Sequence, residues 1–497
     1  MQAVPALSVT RSEPVSRAAR IPLLALPWAW AAAALALAAH RLPYDDEWFE
    51  ISLAHADPHH FSASLAADVH LPWVALLDRG IVHLAPGFLP LVVPRVAASA
   101  LALFLVASLV TRRRLAPWWA VALAAFHPVL LMYGGAARWY PFLFLGQALR
   151  AWALWGADAG TVGADGALLA GALVGTLAGY LDLPFLVIDG TAWLLTRSGT
   201  RARVVVAASC AVLVAGTLLT PLSHPAGRLV SIAASRFQLS LTAFVEWLGL
   251  GLAGEAHPGW PLTLLALLVL PGFAAAAWAI IRRRDGFSRW LLAVALGWCG
   301  ATQVGVWHPR YSLLVWALFT AAMLGGLAAP GARRTASVVA AGYLALGLLL
   351  TVRGDHFLKG DLNSLPAAAR ASLLEDPADL VIAPYPRTAA QVSSVWRPAA
   401  PVVAVPLIQQ YPDRDEQMSS LRAALASARR VVLITVPDRS WLRVTNPRVR
   451  AELRSRCHLV ASHEAVEDPF WPLKRWLSKS TARYRFRSET WDCPRAR

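Results

Sequence analysis

The chain has 497 residues and a net charge of +16, yet only 15% of its residues are charged and 57% are hydrophobic. Soluble domains carry roughly a quarter charged residues, so this composition argues against an ordinary water-soluble globule. A pI of about 10.6 would suggest nucleic acid in a soluble chain, but here the arginines stand at the ends of long apolar runs, where they orient spans and meet anionic lipid, and no nucleic-acid partner is expected.

From the N-terminus, Arg11, Arg17 and Arg20 precede the apolar run Ile21–Ala39, and no small-x-small cleavage site follows it. The run reads as an uncleaved first span near 21–40, with residues 1–20 on the cytoplasmic side. Further runs of about 20 residues, the length that crosses a hydrocarbon core, fall near 91–111, 115–134, 140–156, 166–181, 183–196, 204–221, 260–281, 289–306, 311–329 and 335–352. That predicts about 11 spans in a membrane domain covering 21–352, with outer loops at 41–90 and 222–259 whose apolar pieces lie in the interface. Arg112–Arg114, Arg197, Arg201, Arg203, Arg282–Arg284, Arg289, Arg333 and Arg334 fall on one side of this layout. Asp45, Asp46, Glu47, Glu50 and Asp57 fall on the other, the positive-inside asymmetry. An odd number of spans places residues 353–497 outside the cytoplasm.

That tail has a different composition. Leu380–Ala383, Pro401–Pro406 and Val431–Val436 read as buried strands, and Asp415–Ala428 as a helix with Leu421 and Leu425 on one face. The order predicts a small α/β domain. The four cysteines divide between the two regions. Cys210 and Cys299 lie in apolar runs and read as packing residues, while Cys457 and Cys493 lie in the tail, where an extracytoplasmic location would allow a disulfide.

Chemistry-bearing residues cluster at the expected outer face. Tyr44-Asp45-Asp46-Glu47-Trp48-Phe49-Glu50 follows the first span directly. Adjacent carboxylates repel one another unless a cation compensates, and such a group is suited to deprotonate a hydroxyl or to ligate a divalent metal that holds a phosphate. A plainer reading, that these acids only flank a span and set topology, stays open. His70-Leu71-Pro72-Trp73 opens an amphipathic segment, where His70 either meets a lipid phosphate or is an interfacial histidine. Arg138-Trp139-Tyr140 places an arginine against the charge asymmetry, and its planar fork fits phosphate oxygens as readily as it snorkels to headgroups. His308-Pro309-Arg310-Tyr311 repeats that composition between two later spans. Asp182 is either a substrate-pocket acid or a helix-end residue, with its partner unnamed. Walker A, H-E-x-x-H and G-x-S-x-G runs are absent, so an ATP-driven pump and the usual hydrolases have no support.

The order of these pieces resembles the GT-C superfamily of membrane glycosyltransferases, over residues 20–350. It is similar above all to the bacterial branch with protein O-mannosyltransferases and the aminoarabinose transferase of lipid A (family 39/83-type). Asp46-Glu47 matches the family's acidic pair and His70-Leu71-Pro72 its His-Pro-Pro-like segment. Pro94-Arg95 leading to Arg112–Arg114 matches its span ending in basic residues, Ala137-Arg138-Trp139-Tyr140 its Glu-Ala-Arg-Met-Tyr-like segment, and Arg310-Tyr311 its later Arg-Tyr. Two positions depart from the pattern: Ala136 where Glu is common, and Leu71 where Pro is usual.

The resemblance implies a polytopic α-helical, GT-C-like protein of a bacterial inner (plasma) membrane. Its N-terminus would be cytoplasmic and its small C-terminal α/β domain extracytoplasmic. It implies an inverting glycosyltransferase that takes a sugar from a polyprenyl-phosphate donor to a hydroxyl of a glycan, lipid or protein acceptor. Asp46 would be the general base and Glu47 would orient it or help hold a metal. His70, Arg138, Tyr140, Arg310 and Tyr311 would line the donor phosphate and lipid, and Asp45 and Asp182 would border the substrate pocket. No cofactor is certain, since a divalent metal is variable in such enzymes. The alternative is a polytopic transporter or flippase for a lipid-linked sugar, which would favour internal repeats and charges at mid-membrane.

Overall fold

The computed structural model describes, besides a few isolated positions, residues 17–40, 45–56, 72–85, 87–157, 161–179, 182–197, 199–218, 276–303, 313–326, 378–383, 400–404, 414–435, 445–466 and 485–494. They fall into two compact units. One comprises residues 1–41, 68–356 and 476–479, and the other 42–67, 357–475 and 480–497.

The first unit is helical. Its described helices are Arg17–His40, Pro72–Leu84, Phe88–Arg112, Trp118–Ala125, Pro128–Gly134, Tyr140–Trp155, Val162–Ala178, Leu183–Thr196, Thr200–Leu218, Gly286–Gln303 and Leu313–Gly326. Phe88–Arg112, at 25 residues, is long and apolar enough to cross a membrane, and Leu24–Ala39, Val162–Ala178, Leu183–Thr196 and Leu313–Leu324 are apolar but shorter. Several helices of this unit carry apolar residues on outward faces: Leu101, Leu173, Val187, Leu195 and Leu296 are all exposed.

The segment expected as one span at 115–134 is instead two short helices. Pro128 has no N–H to continue the first helix, and the His127 ring nitrogen accepts from the Val129 N–H at 3.2 Å, capping the second. The span expected near 335–352, and most of that near 260–281, lie outside the described residues, as does the loop at 222–259.

The second unit holds a five-stranded sheet of β1 (Leu380–Ala383), β2 (Val402–Ala404), β3 (Arg430–Thr435), β4 (His458–Val466) and β5 (Arg485–Asp492) in the order β2-β1-β3-β5-β4. β1 pairs parallel with β2 and β3, while β5 pairs antiparallel with both β3 and β4. Helix Arg414–Ser427 connects β2 to β3, and helix Thr445–Arg456 connects β3 to β4. Leu421 and Leu425 of the first and Val449 and Leu453 of the second pack with Leu380, Ile382, Val431 and Leu433, so both helices share one core with the sheet. Val381, Val432 and Ile434, on the other face, are also buried. Burial on both faces is why β1 and β3 read as unbroken apolar runs. The Asp379 carboxylate accepts from the Arg429 and Arg430 N–H groups at 3.0 Å each, and those bonds hold it below the usual carboxylate range.

Cys457, just past the 445–456 helix, is disulfide-bonded to Cys493, just past β5, at a separation of 36 residues. Cys210, expected as a packing residue, is exposed. A non-reducing digest of the full chain is expected to yield one peptide pair joining Cys457 to Cys493. Replacing both by serine should lower the stability of this unit by roughly 2–4 kcal/mol, read from its denaturant midpoint. Two freely alkylated thiols would contradict the pairing.

Candidate functional site

The helical unit carries arginines at two ends. Helices Phe88–Arg112 and Tyr140–Trp155 run parallel. Arg95, early in the first, donates from Nε to the Arg138 carbonyl just ahead of the second at 3.1 Å, and Arg112 donates to the Gly156 carbonyl that closes the second. The helical rise from Arg95 to Arg112 is about 26 Å, close to a hydrocarbon thickness. At the Gly156 end, Arg113 also donates to the Trp155 carbonyl and Arg197 to the Ala153 carbonyl. These guanidinium groups take up carbonyls that a helix C-terminus leaves unpaired and offset its partial negative charge.

The opposite end is built around Gly134-Gly135-Ala136-Ala137-Arg138. Small residues are needed here, because a Cβ on Gly134 would lie 2.8 Å from the Trp30 ring. The stretch is gripped from the 88–112 helix by two residues one turn apart: Ser99 donates to the Gly134 carbonyl at 2.8 Å and Arg95 to the Arg138 carbonyl. Arg95 is fully buried, and its other nitrogens donate to the Leu91 carbonyl and to Asp78, whose oxygens stand 2.6 and 2.8 Å away. Arg138 is buried too. Its Nε reaches the Tyr140 hydroxyl at 3.4 Å, and its guanidinium carbon lies 5.8 Å from the centre of the Tyr140 ring, which Trp139 abuts edge-on at 4.8 Å. The positive end of the 140–155 helix adds to the arginine's charge at this point.

A third charged cluster lies deeper. Arg150 sits in the 140–155 helix, places Nη1 and Nη2 each 2.7 Å from one oxygen of Asp182, and places Nε 2.7 Å from Asp189. Its Nη1 also donates to the Gly171 carbonyl, and Asp189 accepts from the Trp290 indole at 2.8 Å. One guanidinium therefore ties three helices together, Asp189 adds a fourth through Trp290, and Arg150, Asp182 and Asp189 are all buried. The partner that the sequence leaves unnamed for Asp182 is Arg150. Arg150 and Asp189 carry a readable signal, an ionisable residue inside an apolar run, but sequence reasoning passed over both, and Asp78 as well.

The acidic cluster belongs to the other unit. Asp45 and Asp46 open helix Asp45–His55. Glu47, Glu50, Ile51 and Ala54, at i, i+3, i+4 and i+7, form its buried stripe, so two glutamates are on the inward face. Asp46 and Glu50 are one turn apart. His70, Arg310 and Tyr311 lie outside the described residues. Among the described residues no three His, Cys, Asp or Glu side chains are grouped to hold a metal ion.

No protein-family model matches the chain, and no curated protein matches it. Among solved structures, one that resembles it is the archaeal oligosaccharyltransferase AglB from Archaeoglobus fulgidus, in complex with an inhibitory peptide and a dolichol-phosphate. The likeness has a TM-score of 0.46 at 12% identity, over 89% of this chain and 73% of that one. Nothing about this chain's activity follows from a likeness of that size.

Proposed function

We propose that this chain is an inverting membrane glycosyltransferase that moves a sugar from a polyprenyl-phosphate donor to an acceptor hydroxyl on the outer face of the membrane. The observation that carries the reading is Arg138, a buried arginine at the end of the helical unit about 26 Å from its arginine-rich end, seated against Tyr140 and gripped from the 88–112 helix. The arginine-rich end fits the cytoplasmic side, which leaves Arg138 on the face where a lipid-phosphate donor presents its headgroup. The disulfide in the second unit fits an extracytoplasmic location for that unit, since such bonds persist outside the reducing cytoplasm. Outward apolar faces on the helices fit contact with lipid.

In the reaction, Asp46 takes the proton of the acceptor hydroxyl as its oxygen attacks the anomeric carbon. The bond from that carbon to the phosphate oxygen breaks on the opposite face, so the configuration inverts and polyprenyl phosphate leaves. Negative charge grows on the phosphate, where Arg138 and Tyr140, with His70, Arg310 and Tyr311, stabilise it. Glu47 orients Asp46 or helps hold a metal.

The test is reconstitution of the full chain in lipid vesicles with a polyprenyl-phosphate sugar and a panel of acceptors, following release of polyprenyl phosphate and the anomeric configuration of the product. Inverted product supports the reading, and retained configuration overturns it. The buried Arg150 cluster favours a second reading, a transporter or flippase, because ionisable groups inside a bundle mark translocation paths. Movement of the lipid-linked sugar across the same vesicles without any acceptor would establish that reading instead.

A further inference from the structure

We propose that Arg95 and Asp78 are positioning residues, which fix the backbone at Arg138 so that its guanidinium stands ready for the phosphate of a lipid-phosphate ligand. The inference rests on the reading that Arg138 binds that phosphate. Four observations lead to it. Arg95 and Asp78 are both fully buried, in helices Phe88–Arg112 and Pro72–Leu84, so the pair ties two elements together away from water. Arg95 spends each guanidinium nitrogen on a different partner: Nη2 on Asp78, Nη1 on the Leu91 carbonyl, and Nε on the Arg138 carbonyl. All three nitrogens are thus engaged by protein acceptors in a fully buried side chain, and its contact with the stretch before the 140–155 helix is at the Arg138 carbonyl. Ser99, a turn further on, fixes the same stretch at Gly134, so residues 134–138 are held at both ends against one helix.

The chemistry explains the arrangement. A buried guanidinium that must meet a phosphate binds it best when its own backbone is already fixed, because little ordering then remains to be done on binding. Lysine at 95 would keep the charge but lose the planar fork that serves three acceptors at once. Asp78 keeps the Arg95 charge compensated, so a buried positive charge is tolerated behind the site.

The experiment is a binding titration of the purified full chain in detergent, with farnesyl phosphate as the probe and farnesol as its phosphate-free control. The paired substitution Arg95→Met with Asp78→Leu removes the brace without leaving the partner charge buried alone, so it is the variant expected to keep its fold. It is expected to weaken farnesyl phosphate about tenfold and to leave farnesol within twofold, as loss of one well-placed charge-assisted contact would. Arg138→Ala is expected to weaken the phosphate probe at least as much. Adding the Arg95/Asp78 pair to Arg138→Ala is expected to cost nothing further, because the pair acts only through Arg138. A general structural role would instead weaken both probes. If Arg138→Ala weakens the phosphate probe but the pair does not, or if the two losses multiply, the positioning role is overturned while the phosphate reading survives. If Arg138→Ala binds farnesyl phosphate as the wild type does, or the wild type binds it no better than farnesol, the phosphate reading falls and the inference with it. Ser99→Ala serves as a milder second variant, with a smaller loss of the same phosphate-specific kind.

Discussion

Asp46→Asn is expected to lower kcat for sugar transfer by roughly 10²–10⁴-fold while leaving the chain expressed, inserted and able to bind the donor. The substitution is nearly isosteric. It removes the one property the reaction needs, an oxygen basic enough to take the acceptor's proton as the new bond forms. Binding of the donor draws on other groups, so donor KM should change little, and a kcat loss with unchanged KM is the signature of a group used in the transition state. Glu47→Gln makes the useful contrast. Glu47 is buried and heads the inward stripe of the same helix, so its loss should disturb the setting of Asp46 and the packing of the 45–55 helix together. It is expected to lower thermal stability as well as rate, whereas Asp46→Asn lowers rate alone. Near-normal transfer by a folded Asp46→Asn protein would remove Asp46 from the mechanism.

The second large effect is expected at Arg150, and it concerns assembly of the bundle. Arg150→Met leaves Asp182 and Asp189 buried beside each other without the cation that both contact. Removing one partner of a buried pair costs roughly 3–5 kcal/mol, because the remaining charge is neither paired nor hydrated. That is comparable with the whole stability of many domains, so the variant should be recovered in low yield or aggregated. The triple change Arg150→Met, Asp182→Asn, Asp189→Asn removes every charge of the cluster and should restore much of the yield, as monodisperse protein on size exclusion. If the triple variant stays unfolded, hydrogen bonding by these groups matters more than their charge balance. If it folds but no longer moves a lipid-linked sugar that the wild type moves, the transporter reading gains. Gly175→Ala tests the same cluster from the packing side. A Cβ there would collide with the Asp182 carboxylate and come within 2.8 Å of Arg150, so even one methyl group should loosen the pair. Gly146 lies against the same position, its notional Cβ 2.6 Å from the Gly175 nitrogen, so the 140–155 and 162–178 backbones approach closely here.

How much of this was legible in the sequence depends on whether the signal was local. Length and hydropathy alone define the helices from 88 to 112, 140 to 155 and 183 to 196 within a few residues, since each is an apolar run bounded by arginine, proline or glycine. β1 and β3 were equally plain, because strands covered on both faces are apolar throughout. β4 and β5 were missed for the converse reason. Their residues alternate with Arg485, Arg487, Glu464 and Glu489, and the pairing that makes them strands, Glu464 opposite Arg487, is visible only across the sheet. The break at His127 had a local cause in Pro128, and reading the proline more strictly would have divided that span.

The candidate site divides along the same line. The sequence by itself determined which residue types lie near the ends of the apolar runs: the acids at 45–50, Arg138 with Tyr140, and the arginine triplets. It determined neither the partner of Asp182 nor the task of Arg95. Those depend on which helices lie side by side, and a guanidinium with five donors can be satisfied in too many ways for spacing along one chain to choose among them. Only the tertiary structure decided that Arg150 closes on Asp182 and Asp189, and that Arg95 reaches across to the Arg138 carbonyl. The physical reason is that burying a charge is tolerable only where several helices converge to supply its partners, and convergence is a property of the packed bundle.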